Sequence, residues 1–213
     1  MKKRGRCRER IIRVLLNEPE GELTKYKVAK NAECSFSWTH EFLSKLEAMK
    51  FIKATKVKDF IGLVEYWRKI KTKHAKKKYM NKDFLELLKK QSMQYALTTY
   101  QGENLVQYYL FPSRIDVYIR EEDIDQWHEL IVEKGLVGRG NVRLLIADEH
   151  VFFGSFERDS LKVVSIPQLI VDLFEEGGIC EDAAERLLNA YIRAKDTDQR
   201  QKEKGVLEIV PEK

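Results

Sequence analysis

Ser37, His40 and Ser44 are spaced three and then four residues apart, so a helix through them would carry all three on one face. Their side chains can both donate and accept hydrogen bonds. Such a face suits base-pair edges, which the major groove of a duplex presents to a single α-helix as rows of donors and acceptors. Glu41 sits among them and could accept from a cytosine amino group, while Lys45 lies on the flank. Three polar residues alone describe any solvated helix face. Here they are surrounded by Lys25, Lys27 and Lys30 before them, Lys53, Lys56 and Lys58 after them, and Arg68 and Lys71 further on. These cations could meet phosphates while the helix reads the groove.

A second constellation points to different chemistry. Asp116, Asp148 and Glu149, with Glu157 beyond, could form a carboxylate set that holds a divalent metal for a nuclease docked by the basic residues. Their spacing is not specific, and Arg158 stands where a companion Lys would be expected. His128 and His150 are too isolated to define a zinc site, and Ser155 lacks both an elbow motif and a paired His. Gly138-Arg139-Gly140 reads as a turn, and neither a phosphate-binding loop nor a dinucleotide fingerprint occurs. The expectation is therefore no cofactor, no bound metal and no catalysis.

Charge divides the chain by position. Residues 1–82 carry 23 Lys and Arg against 9 Asp and Glu, a balance of +14, whereas residues 83–213 carry 16 against 25, a balance of −9. The front part has the footprint of a polyanion binder, because every phosphate neutralised releases condensed counterions. It contains no aromatic-rich strand of the kind that stacks RNA bases, which favours duplex DNA over RNA. The acidic part must face something else: a partner protein, or the chain's own basic part in this or a second copy. With 43% hydrophobic residues in 213, the chain can build real cores. No apolar run is long enough for a bilayer, and charged residues follow the first Met, so a cytoplasmic protein without membrane contact is expected. Cys7, Cys34 and Cys180 are odd in number and widely spaced, which suits reduced thiols.

The elements that must position these residues follow from periodicity. Ile11, Ile12, Leu15 and Leu16 mark a helix over Arg8–Asn17 that Pro19 and Gly21 stop, and Thr24 caps a second helix through about Glu33 with Val28, Ala29 and Ala32 inward. A third runs from Ser35 or Ser37 to about Lys50, burying Trp38, Thr39, Phe42, Leu46 and Met49, with Phe36 and Trp38 as core or staple residues. Phe51–Val57 reads as a strand, 58–62 as a turn, and Leu63–Tyr66 as a returning strand or helix start. Residues 67–78 hold seven basic residues and no acid, the pattern of a solvated linker or basic arm. Beyond it come helices at Phe84–Leu88, Gln101–Leu110, Glu121–Lys134, Pro167–Glu175 and Cys180–Tyr191. Strands are expected at Gln94–Thr99, Arg114–Arg120, Val142–Ala147, Val151–Phe156 and Leu161–Val164.

Three helices and a hairpin, with Ser35-Phe36-Ser37-Trp38-Thr39 leading into Leu46-Glu47-Ala48-Met49-Lys50-Phe51-Ile52, resemble a winged helix-turn-helix transcriptional regulator. That family commonly has Gly where Lys50 stands. Further on, Arg114-Ile115-Asp116-Val117-Tyr118-Ile119, the run Val163–Phe174 and the helix with Glu181-Asp182-Ala183-Ala184 resemble the AbiEi family of antitoxin regulators. This second resemblance implies a repressor that binds its own promoter and counteracts a nucleotidyltransferase toxin through its second domain. The expected architecture is α+β: a winged helix-turn-helix domain (1–70), a basic linker or arm (71–82), an acidic α/β effector or partner-binding domain (83–195) and a flexible tail (196–213).

Overall fold

The computed structural model describes residues 2–207, with side chains described for 5–195 and 197. Helix α1 (Lys2–Asn17) buries Ile11, Ile12, Leu15 and Leu16, the stripe read from the sequence. Thr24 caps α2 (Lys25–Asn31) by accepting the Lys27 N–H at 3.2 Å. Helix α3 (Phe36–Ala48) buries Thr39, Phe42, Leu43 and Leu46, so Leu43 takes the inward place expected for Met49, which is exposed.

Both α2 and α3 end in the same motif. The residue after the cap turns left-handed, Glu33 at φ 52° and Lys50 at φ 64°, and the next N–H reaches back to the last turn: Cys34 to the Ala29 carbonyl at 3.0 Å, Phe51 to that of Leu46 at 3.1 Å. This satisfies carbonyls that a helix end otherwise leaves open. Lys50 thus adopts the conformation for which Gly is the cheaper residue.

The segment Phe51–Val57, expected as one strand, is a hairpin of β1 (Ile52–Lys53) and β2 (Lys56–Val57). The chain reverses at Ala54 (φ 56°), whose N–H donates to Glu47 Oε1 at 2.8 Å, tying the turn to α3. Residues 63–66 then lie inside α4 (Phe60–Ile70), whose start is capped by Asp59 accepting the Gly62 N–H at 2.8 Å.

The rest is mixed α and β. In chain order it runs β3 (Ala75–Met80), α5 (Phe84–Lys89), β4 (Tyr95–Thr98), α6 (Thr99–Gln107), β5 (Ile115–Arg120) and α7 (Ile124–Val132). It continues through β6 (Leu136–Val137), β7 (Val142–Ala147), β8 (Phe156–Arg158), β9 (Leu161–Val163), α8 (Ile166–Glu176) and α9 (Ile179–Leu207). Among the described residues seven strands form one sheet, in the order β6-β3-β7-β5-β4-β9-β8. The β5–β7 and β4–β9 pairs are parallel and the others antiparallel. No helix among the described residues is long and apolar enough to cross a membrane.

Two expectations are corrected, and a third segment is described only in part. The linker or arm at 71–82 contains β3, an inner strand whose Ala75–Tyr79 pair with Val142–Ile146 of β7. Tyr79 is its buried side chain, so backbone pairing sets the strand and hydrophobic periodicity misses it. Val151–Phe156 is not a strand: Glu149–Phe152 form a 3-10 turn capped by Asp148, and only then does β8 begin. Of the segment 196–213, expected as a flexible tail, the described part continues α9 to Leu207, and the remainder lies outside the described residues.

The helical front part and the sheet share one apolar core, continuous from Ile11 through Trp67, Val117 and Leu144 to Leu188. On one sheet face Tyr95 meets Trp127 of α7 edge-on, with ring centroids 6.1 Å apart. The other face, carrying Thr98, Asp116, Tyr118 and Arg143, is polar and turns toward α8. Along α8 the front helices are fastened by charges. Arg13 of α1 donates to Gln168 at 2.9 Å and to His150 Nδ1 at 2.8 Å, and lies 5.2 Å over the Trp67 ring.

Candidate nucleic-acid interface

Helix α3 turns Ser37, His40, Glu41, Ser44 and Lys45 to solvent, opposite the buried stripe Thr39–Phe42–Leu43–Leu46 that holds it in place. Ser35, in extended backbone, starts the helix, and its carbonyl accepts from both the N–H (3.0 Å) and the hydroxyl (2.9 Å) of Thr39. The Ser44 hydroxyl donates to the His40 carbonyl at 3.0 Å, so its oxygen faces outward as an acceptor. Ser37 and His40 keep donors and acceptors for an external partner.

Cations stand on the two elements that pack against α3, helix α2 and the β1–β2 hairpin. Lys27 and Lys30 of α2 are exposed and Lys25 is half-buried, and from the hairpin Lys53 and Lys58 are exposed. The hairpin is fixed from below: the Val57 N–H donates to the Pro19 carbonyl at 2.8 Å and the Thr55 hydroxyl to that of Leu23 at 2.6 Å. Lys56 is half-buried and pairs with Glu20 at 3.5 Å, so it is already partly neutralised.

Two residues expected at the interface belong elsewhere. Lys71 has only 5% of its side chain exposed; its Nζ donates to Asp172 at 2.5 Å and to Glu175. Burial disfavours its charge, yet Asp172, Tyr118 and Glu175 outweigh that and hold its pKa above the ordinary lysine value. Arg68 donates to Glu65 at 2.5 Å and stacks 4.3 Å over the Phe174 ring of α8. Both face α8, because 67–78 folds into the body instead of trailing from it.

The carboxylate set of the nuclease alternative is not assembled. Asp116 is fully buried on β5, gripped by the guanidinium groups of Arg114 (2.7 Å) and Arg143 (2.7 Å) and accepting from the Thr99 hydroxyl. Asp148 instead caps the turn after β7 and pairs with Arg10 at 3.5 Å. Among the described residues no three or more His, Cys, Asp or Glu side chains are placed to hold a metal ion.

From the end of α2 runs a buried polar chain that the sequence did not reveal. The Asn31 carbonyl at the end of α2 meets His150 Nε2 at 2.9 Å, His150 Nδ1 meets Arg13, and Arg13 meets Gln168. Gln168 Nε2 then donates to Asp172 at 2.8 Å, and Asp172 also accepts from Thr98 at 2.6 Å and Tyr118 at 3.0 Å. Arg13 can only donate, so His150 Nδ1 is the acceptor and Nε2 carries the proton given to Asn31. Burial first, and the Arg13 charge second, push the His150 pKa down to about 3, which keeps the ring neutral. This chain fixes the end of α2, and with it the turn that leads into α3.

Sequence reasoning also misplaced Phe36. It is exposed, and its ring lies 6.4 Å from Tyr26 and 6.0 Å from His40. The signal was available, since Phe36 and His40 are four apart and so share a face beside the buried stripe. Comparison with protein-family models, curated proteins and solved structures finds no match to this chain.

Proposed function

We propose that this chain is a sequence-specific double-stranded DNA-binding transcriptional regulator, acting as a repressor. Residues 1–70 form its winged helix-turn-helix, with α3 as the recognition helix and the β1–β2 hairpin as the wing. The observation that carries this reading is the outward face Ser37–His40–Glu41–Ser44–Lys45, held by a buried stripe, with exposed Lys27, Lys30, Lys53 and Lys58 on or beside the α2 helix and hairpin that pack against it. One major groove admits a single helix of this kind, and lysines on the neighbouring elements are the side chains that would meet the flanking phosphates. The sense of repression, and an antitoxin role for the second half, come from the resemblance to AbiEi regulators. The exposed Tyr108, Tyr109 and Phe111 support that role, since aromatic side chains serve as anchors for a protein partner.

In vitro selection from a random duplex pool, followed by titration of the winner between 50 and 200 mM salt, tests the reading. Affinity should fall steeply with salt, as counterion release requires. Lys53→Ala and Lys58→Ala should weaken all duplexes alike. Ser37→Ala or His40→Ala should instead relax preference at particular base pairs, by about 1–3 kcal/mol for each base-edge hydrogen-bond pair removed. Duplex affinity indifferent to salt and to these substitutions would refute it.

A further inference from the structure

Tyr26, Phe36 and His40 form a contiguous aromatic ridge along one side of the α3 face. Tyr26 is 66% exposed and Phe36 48%, their rings tilt by 45° at 6.4 Å, and Phe36 continues to His40 at 6.0 Å. Single exposed apolar residues are ordinary on any protein. Three rings in a row, with Phe36 between Tyr26 and His40, beside the polar residues of a helix that otherwise buries its apolar stripe, form a patch larger than a lone exposed side chain. Its surroundings select the partner: Lys25 and Lys27 flank Tyr26 in the chain, Lys30 lies one turn on, and Lys45 borders the same helix face. A ridge in so cationic a setting is matched to a polyanion that also offers an apolar group. In a duplex major groove that group is the C5-methyl of thymine, because cytosine and the purines present polar atoms or bare ring edges there.

We infer that the Tyr26–Phe36 ridge reads thymine methyl groups in the major groove, giving this protein a preference for A·T pairs at the positions it covers. The inference rests on the DNA-binding reading and adds a recognition element to it. Phe36, the first residue of α3, reaches the base edge, Tyr26 backs it from α2, and His40 supplies an adjacent hydrogen bond to the same or the next pair.

The test uses the full chain and the duplex that wins the selection, with each thymine replaced in turn by deoxyuridine, which lacks only the methyl. Wild-type affinity, read by fluorescence anisotropy, should fall about 3- to 5-fold at one or two positions, the effect of one buried methyl. Phe36→Ala should bind the parent duplex more weakly and show no further loss at those positions, while Lys27→Ala keeps the full deoxyuridine effect. Both rings are exposed, so folding should be unaffected. Tyr26→Ser, which should shrink the same positional effect, provides a second route if Phe36→Ala does not fold. Tight, salt-dependent binding with a flat deoxyuridine scan would overturn this inference and leave the DNA-binding reading standing; absence of duplex binding would overturn both. If Phe36→Ala kept the scan intact but abolished a concentration-dependent dimer in sedimentation, the ridge would be a protein contact and the inference would fall.

Discussion

Lys27 and Lys71 are the same residue type in the same basic half of the chain, put to opposite uses. Lys27 stands exposed on α2, where its side chain is open to an external phosphate. Lys71 is buried against α8 between Asp172 and Glu175 and could not reach a phosphate without abandoning two carboxylates. A sequence-local reading weights the two equally. What separates them is the set of neighbours that arrives from more than a hundred residues away, and energetically the two sites invert. A surface charge contributes little to stability and much to the rate and strength of association. A buried charge is indispensable to its partners once they are desolvated, and gives nothing to an external ligand.

The largest expected effect is at the buried site. Asp172 accepts from Lys71, Thr98, Tyr118 and Gln168. Asp172→Asn should cost about 3–5 kcal/mol, because it leaves a desolvated ammonium with only Glu175 to face. Urea denaturation should show Lys27→Ala within about 0.5 kcal/mol of wild type. Equal costs for the two would dissolve the contrast.

The complementary experiment reads the surface. Replacing Lys27, Lys30, Lys53 and Lys58 together by Ala should weaken duplex binding by about tenfold to a hundredfold at 100 mM salt. It should also flatten the log K against log salt slope by up to about 0.9 for each phosphate no longer neutralised. Lys71→Met, in protein that remains folded, should leave that slope where it was. A slope that responds to Lys71 and ignores the four surface lysines would exchange the two roles.

A pH titration sharpens the comparison from the buried side. Burial and Arg13 depress the His150 pKa to about 3, so the folded ring stays neutral while the unfolded chain takes up a proton below about 6.5. Stability is therefore complete above pH 6.5 and is lost as pH falls from there toward 3, by up to about 1.4 kcal/mol per unit. His74 shifts in the same direction, through burial and the Lys71 charge, and adds to the wild-type slope. Denaturation at pH 7.5 and 5.5 should show His150→Gln losing less stability between the two than wild type. A slope identical to wild type would mean that His150 carries no proton linkage.

How far the fold could be read in advance follows the same division. Elements fixed by local chemistry were legible: the Ile11–Leu16 stripe, the Thr24 cap and β7 over Val142–Ala147 are where periodicity and capping place them. The outward face of α3 was legible too, since Ser37, His40 and Ser44 follow from spacing alone. Elements fixed by distant partners were not. β3 shows no alternation because its two faces are largely solvated, and its lysines looked like a linker until β7 supplied the ladder. Lys71 and Arg68 looked like phosphate contacts because nothing nearby in sequence discloses Asp172, Glu175 or Phe174. The continuity of the core across the charge break was hidden for the same reason. Charge changes abruptly near residue 82, but α1 and α4 bury their apolar faces against α8, and charge composition carries no information about that packing.

The smallest effect tests the backbone that presents α3. Lys50 and Ala54 both hold left-handed conformations, at φ 64° and 56°, which cost an L-residue about 1 kcal/mol and Gly almost none. Lys50→Gly and Ala54→Gly should each raise stability by up to about 1 kcal/mol, or about 2–4 °C in Tm for a chain of this size. The two differ in charge. Ala54→Gly changes only conformation and should leave duplex affinity at the wild-type value, provided that the hydrogen bond from residue 54 to Glu47 is kept. Lys50→Gly also removes an exposed ammonium at the end of α3, beside the hairpin. If that ammonium touches a phosphate, the variant gains stability and loses affinity together, with a salt slope flatter by about 0.9. Lys50 would then be a residue whose place at a Gly position is explained by the duplex and not by the fold. If affinity is unchanged, the strain at Lys50 serves neither, and the cationic rim of α3 ends at Lys45 and Lys53.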